Sequence, residues 1–445
     1  MKSWKNGKTN FMNKLLLACC VMAFAISPLY AQQVLKIGTA VEIALENNYD
    51  IRLSKNGLEM AKENKTYGNA GILPSVSASL TQSNSLQNST QVQNTGVERS
   101  LDNARNNSLN YGVSLGWTIF DGMGMFARYD KLKELEKQGR IQVKRQVLTT
   151  VGDVITLYYT IVEQNNLLAA LDSSIQISKE RLRTAENRFS IGKAAKLEVL
   201  NVQVNLNEDI SMRLRQEETV KNLKTSLNSI LVRDLDIDFF VDSKVDIDET
   251  LVFSELYEKA NKFNPDLQLI VLNRKLAELD LTVTKASRYP TVRLNSGYNF
   301  SNSESSLGFV TSSSSRGLNY GVTASMNIFD GFNQRRNEKI AQLEIDNATI
   351  QVEQQQHFVQ TSLKTAFQTY LTNLELLKLE ETNEGIARQN LEITLAKFNI
   401  GSISAVEFRD AQENFIDAIS RYNAAQLQAK LSEVQLKELI GEIDF

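Results

Sequence analysis

The chain has 445 residues, with 49 Lys+Arg against 52 Asp+Glu, a formal charge of −3 and a single His. One His speaks against a histidine-based metal centre or a Ser-His-Asp triad, and the slight acidity speaks against a nucleic-acid binder. With 42% hydrophobic residues the chain is not disordered, and with only 4 prolines it can form very long unbroken helices.

Residues 1–31 read as a signal peptide. Lys2, Lys5, Lys8 and Lys14 precede an apolar run from Leu15 to Ala25, and Ala31 marks a plausible cut. Leu16-Leu17-Ala18 before Cys19 leaves lipidation of Cys19 as an alternative, and a retained N-terminal anchor is another. Both cysteines, Cys19 and Cys20, lie here, so the mature chain needs no disulfide. Beyond this segment no apolar run approaches the ~18 residues of a spanning helix. Any membrane crossing must therefore use strands.

The rest of the chain is written twice. Tyr111-Gly-Val-Ser-Leu-Gly-Trp-Thr-Ile-Phe-Asp-Gly122 returns as Tyr320-Gly-Val-Thr-Ala-Ser-Met-Asn-Ile-Phe-Asp-Gly331, and Arg188-Phe-Ser-Ile-Gly192 returns as Lys397-Phe-Asn-Ile-Gly401 at the same spacing. Upstream, Ala44, Asn48, Asp50 and Pro74 pair with Ala260, Asn264, Asp266 and Pro290, at a spacing seven residues longer. The first repeat is assigned to 32–250 and the second to 251–445.

In chain order, each repeat is expected to open with a helix over about 39–70 or 252–287. A Pro-led strand follows (75–81, 291–300), then a polar loop (82–107, 301–317) and a second strand (109–120, 318–329). A very long helix comes next (123–190, 332–399), then a Gly turn, then a returning helix (195–232, 404–440). The strands alternate. Tyr111, Val113, Leu115, Trp117 and Ile119 oppose Gly112, Ser114, Gly116 and Thr118, and Val292 and Leu294 oppose Arg293 and Asn295. One apolar and one polar face fits a barrel wall between lipid and water. The long helix carries a heptad seam of Val147, Val154, Ile161, Leu168, Ile175, Leu182 and Phe189, the mark of helices packed side by side. At ~1.5 Å per residue it spans ~100 Å, far more than a bilayer.

Four strands cannot close a barrel, and open edges in lipid cost several kcal/mol per unmet group. Copies must pool their strands; two would give eight and three would give twelve, with room for a water-filled lumen. The expected fold is therefore mainly α, with a trimeric twelve-stranded outer-membrane β-barrel continued by an α-helical barrel. A soluble periplasmic coiled-coil scaffold or adaptor is the competing reading.

The tandem unit, the Pro-led strand, the Phe-Asp-Gly exit into a long helix, and the (Arg/Lys)-Phe-x-x-Gly turn followed by Glu-Val-Leu or Glu-Phe resemble the TolC-like outer-membrane efflux proteins. These are exit ducts of tripartite pumps and type I secretion systems, not enzymes, and use no cofactor. The resemblance implies a homotrimer in the outer membrane whose helical part stands in the periplasm. It also implies docking to a periplasmic adaptor (membrane fusion) protein and an inner-membrane transporter of the RND, ABC or MFS type. By resemblance, Arg188, Phe189, Ile191, Gly192, Lys397, Phe398, Ile400 and Gly401 at the helical tips are docking candidates. Glu198, Glu407 and Asp410 match acidic gate positions, and threefold symmetry would make each a carboxylate ring favouring cations. Phe398 and Ile403 stand where better-known members carry Tyr and a gating Arg, so the gate is expected to rest on apolar contact and acidic rings rather than on that polar network. Asp121 and Asp330 are read as turn and cap residues, and His357 as a surface residue. No GxxxxGK[ST] sequence is present, so any energy source lies with a partner.

Overall fold

The computed structural model describes residues 34–307 and 310–442, so the readings on the leader, Cys19 and Ala31 lie outside the described residues. Eight helices and six strands are described: β1 (Val34–Leu35), α1 (Ile37–Asn47), α2 (Tyr49–Asn64), β2 (Ser75–Val92), β3 (Glu98–Phe120), α3 (Gly124–Ser190), α4 (Lys196–Leu231), β4 (Phe240–Val241), α5 (Phe253–Phe263), α6 (Pro265–Ala286), β5 (Thr291–Ser305), β6 (Ser312–Ser325), α7 (Asn333–Asn399) and α8 (Ala405–Leu439).

The two copies fold alike. Helices α3 and α7 each have 67 residues, about 100 Å at ~1.5 Å per residue. Both begin after an Asp-Gly turn in which two consecutive residues take positive φ, Gly122-Met123 and Gly331-Phe332. Asp121 Oδ1 accepts from the Met125 amide at 3.0 Å, and Asp330 Oδ2 accepts from that of Gln334 at 2.7 Å. Each carboxylate thus satisfies one of the orphan amides of a helix start.

The single helices expected at 39–70 and 252–287 are each broken in two. Asn48 and Asn264 make the breaks, and both act as splices. Asn48 Oδ1 accepts from the amides of Asp50 (2.9 Å) and Ile51 (3.2 Å), while its Nδ2 donates to the Ile230 carbonyl at 3.1 Å. Asn264 Oδ1 accepts from Leu267 N–H at 2.9 Å, while its Nδ2 donates to the Leu439 carbonyl at 2.9 Å. One side chain thus caps the start of α2 or α6 and also satisfies a terminal carbonyl of the returning helix α4 or α8. Helices α3 and α7 run the full length. Near the sheet they pack with α2 and α6, and toward the far end with α4 and α8; α3 also packs on α8.

Apolar clusters follow the heptad seam. Val154, Ile161, Tyr158, Leu227 and Leu231 are buried at the waist of the first repeat, and Leu363, Tyr370, Leu436 and Ala429 at that of the second. Tyr158 ties the segment before α1 to the segment after α4: its hydroxyl donates to the Leu35 carbonyl at 2.9 Å and accepts from the Asp242 amide at 3.0 Å, beside the parallel pair β1–β4.

The four long strands form one antiparallel sheet in the order β2-β3-β5-β6. The stretch expected as a loop over 82–107 is mostly strand: β2 continues to Val92 and β3 starts at Glu98, with an irregularity between Gln87 and Ser89. In the second repeat β6 stops at Ser325, short of the expected 329.

Replacing Asn264 with Ala removes a cap and leaves the Leu439 carbonyl unmet, a loss of about 1–2 kcal/mol. Asn264→Asp keeps the cap but not the donor, so its unfolding midpoint in detergent should fall between those of wild type and Asn264→Ala.

Candidate functional site: the sheet wall and the helical tips

The strand register sorts side chains into two faces. On one face, rows run across the sheet: Trp117, Leu294 and Val322; Ala78, Val113, Tyr298 and Leu318; Leu80, Tyr111, Phe300 and Arg316. Tyr111 and Phe300 stack at 4.8 Å with 7° between ring planes. From Val292 to Phe300 the strand rises about 27 Å. With a tilt of ~40° that becomes about 20 Å, near the ~25 Å apolar band of outer-membrane barrels. The opposite face holds Ser, Thr, Asn and Gly, with Arg293 among them. At Gly112 a side chain is excluded: a Cβ there would lie 2.4 Å from the Asn299 side-chain oxygen and 2.6 Å from the Tyr298 carbonyl oxygen. Among the described residues no helix is long and apolar enough to cross a membrane, and no metal-binding cluster occurs.

At the other end, the two tip turns are near copies. Gly192 N–H bonds the Phe189 carbonyl (2.9 Å) and Lys193 N–H that of Arg188 (2.8 Å). Gly401 bonds Phe398 and Ser402 bonds Lys397, both at 2.9 Å. Gly192 and Gly401 have φ of 73° and 75°, the Schellman closure that glycine permits. Phe189, Ile191 and Ile400 are exposed at these tips, as is Lys397. Arg188 turns across the molecule. Its Nη1 lies 3.8 Å from Glu198 Oε1, and its Nη2 covers the Gly401 turn, 2.7 Å from where a Cβ would stand.

Between the tips is a hollow of about 590 Å³ lined by Glu198, Ile403, Asp410, Arg188 and Arg409 among others. It brings together Glu198, Ile403 and Asp410 of the gate candidates, but not the other two. Phe398 is buried and packs on Phe408 with ring centroids 5.3 Å apart, in a cluster that Ile403 joins. Glu407 is engaged in a capping box: Ser404 N–H donates to its Oε2 at 3.1 Å, and its own amide donates to Ser404 Oγ at 3.2 Å.

The structure adds a polar feature to this half of the molecule. A buried polar network joins the two hairpins about 17 Å above the turns, at ~1.5 Å per helical residue. Arg409 of α8 reaches Asp209 of α4 at 2.7 Å and Glu413 at 2.5 Å. Asp209 Oδ2 accepts from Ser178 Oγ at 2.5 Å. Gln412 Nε2 donates to Ser174 Oγ (2.6 Å) and Ser178 Oγ (3.1 Å), and Arg181 donates to Gln412 Oε1 at 3.2 Å. Arg181 also lies over the Phe408 ring at 4.8 Å. Burial and the nearby Arg409 lower the pKa of Arg181; burial also opposes the charge of Arg409, but Asp209 and Glu413 raise its pKa on balance. None of these residues stood out in the sequence. The available signal was polar residues at seam spacing: Ser178 lies between Ile175 and Leu182, and Gln412 between Phe408 and Phe415.

A sheet with one face suited to lipid and one to water, prolonged by helices of this length, defines an outer-membrane channel protein. The outer membrane efflux protein family model matches residues 40–230 and again 256–442, and the chain belongs to that family. It is 22% identical over 318 residues to outer membrane protein TolC of Vibrio cholerae, covering 70% of this chain and 73% of that one. It is 19% identical over 363 residues to TolC of Escherichia coli, covering 78% and 72%. Among solved structures, the Campylobacter jejuni CmeC outer membrane channel superposes with a TM-score of 0.74 at 18% identity, covering 91% of this chain and 85% of that one. The sheet accordingly belongs in the bacterial outer membrane and the helical part in the periplasm.

Arg409→Ala would leave Asp209 buried with one partner fewer, a destabilisation of about 3–5 kcal/mol. The double change Arg409→Met with Asp209→Leu should restore much of it, as read from thermal loss of helical circular dichroism.

Proposed function

We propose that the protein is the passive exit duct of a tripartite efflux pump or type I secretion system, working as a homotrimer. The observation that carries this reading is the open sheet. The edges of β2 and β6 have no strand partner among the described residues, and bare edges are not tolerated in hydrocarbon. Three copies closing β6 onto β2 give twelve strands, whose small polar inner face is suited to a water-filled lumen. The helices support the same assembly. Leu197, Leu200, Val204 and Leu214 on α4, and Leu379, Ile386 and Ile393 on α7, are large apolar residues left exposed by the single chain. Heptad-spaced stripes of this kind pack against other helices. The soluble-scaffold reading would leave both these stripes and the apolar sheet face in water.

In this reading the exposed tips around Ile191 and Ile400 dock a periplasmic adaptor, which connects the duct to an inner-membrane transporter of the RND, ABC or MFS type. The transporter supplies the energy and selects the cargo. Glu198, Glu407 and Asp410 form acidic rings near the periplasmic mouth. Ile403 contributes the apolar part of the constriction, and Phe398 supports it from beneath.

Crosslinking in detergent should yield trimers, and planar bilayers should yield cation-selective currents blocked by divalent cations from the tip side. Glu407→Ala with Asp410→Ala should lower that selectivity and relieve the block. Unchanged selectivity and block in the double variant would eliminate the acidic rings while leaving the duct itself standing.

A further inference from the structure

We propose that Arg293 forms a three-arginine ring in the barrel lumen that binds multivalent anions and sets the charge preference of this segment. The proposal rests on the trimeric channel reading. Along the water-facing side of the sheet, from the row of Thr291 and Ser325 to that of Ser305 and Asn106, the paired residues are Ser, Thr, Asn and Gly, and Arg293 is the one charged side chain among them. Its row holds Thr118 on one side and Thr323 on the other. Arg293 Nε donates to Thr118 Oγ1 at 3.3 Å, which fixes the guanidinium on this face rather than on the lipid face. The side chain is exposed, and among the described residues it makes no ion pair.

The placement matters as much as the charge. The Arg293 row lies beside that of Trp117 and Leu294, at the end of the wall from which the helices depart. Solute leaving the helical tube would meet it on reaching the barrel. Twelve strands spaced ~4.8 Å apart and tilted ~40° close at a backbone radius of about 12 Å. Three long cationic side chains converging from that wall lie within about a Debye length of one another at moderate salt, so their fields overlap. The neighbouring Ser, Thr, Asn and Gly neither neutralise them nor compete for an anion. Guanidinium groups bind phosphate oxygens bidentately, and rings of Arg or Lys are the usual means by which a pore favours anions. The acidic rings proposed for the tips would favour cations, so the two ends of the conduit have opposite preferences.

The test uses the purified full-length channel in planar bilayers, with sodium tripolyphosphate added to the barrel side. Wild-type current should be blocked, more strongly at low than at high salt. Arg293→Gln should raise the half-blocking concentration about tenfold or more, whereas Arg293→Lys, which keeps the charge, should stay within about threefold of wild type. Block of Arg293→Gln at the wild-type concentration, or no block of a conducting wild-type channel, would overturn the ring. No current from wild type at all would instead overturn the channel reading beneath it.

Discussion

Backbone hydrogen bonding in lipid is the constraint on which the rest of this molecule depends. A four-stranded sheet satisfies its interior strands and leaves two edges unmet. In water those edges could be wetted, but in hydrocarbon they must be paired. The chain therefore cannot complete its membrane segment alone. Completion by further copies in turn explains the apolar outer rows, the small inner rows and the apolar stripes that the helices leave uncovered.

The helical part faces a matching problem. A tube wall needs the same number of helices at every level, yet each repeat supplies one long helix and several short ones. Asn48 and Asn264 resolve this by joining a returning helix to a helix of the other half-length, end on end, with one amide side chain serving both termini. Each repeat then contributes two continuous columns. The buried Arg409–Asp209–Gln412 network couples the first repeat's hairpin to the second. The tips below it are held more weakly, through the half-exposed Arg188–Glu198 pair and local turns.

Much of this was legible in the sequence because it repeats. The long helices fall within a residue of their expected ends, since the Asp-Gly turns and the Arg/Lys-Phe-x-x-Gly turns bracket them. The helix breaks were missed even though Asn48 and Asn264-Pro265 are good helix-start signals; the surrounding apolar periodicity continued across them. Strand length was missed for a different reason. Beyond Leu80 and Tyr111 most positions on both faces of β2 and β3 are polar, with Leu86, Leu101 and Leu109 scattered among them, so the alternation that marks a half-buried strand disappears. The polar network was invisible because Arg409 and Asp209 are far apart in sequence and only the fold brings them together.

The two hairpins of the sheet are unequal in height. β2 and β3 run on past the last row shared with β5, at Asn106 and Ser305, whereas β5 and β6 turn soon after it. The seven-residue difference between the repeats therefore falls above the lipid-facing rows, where no register has to match. Three chains set side by side would raise a crown of alternating tall and short teeth around the outer opening, and the tall ones could lengthen or shorten over evolution without loosening the ring below.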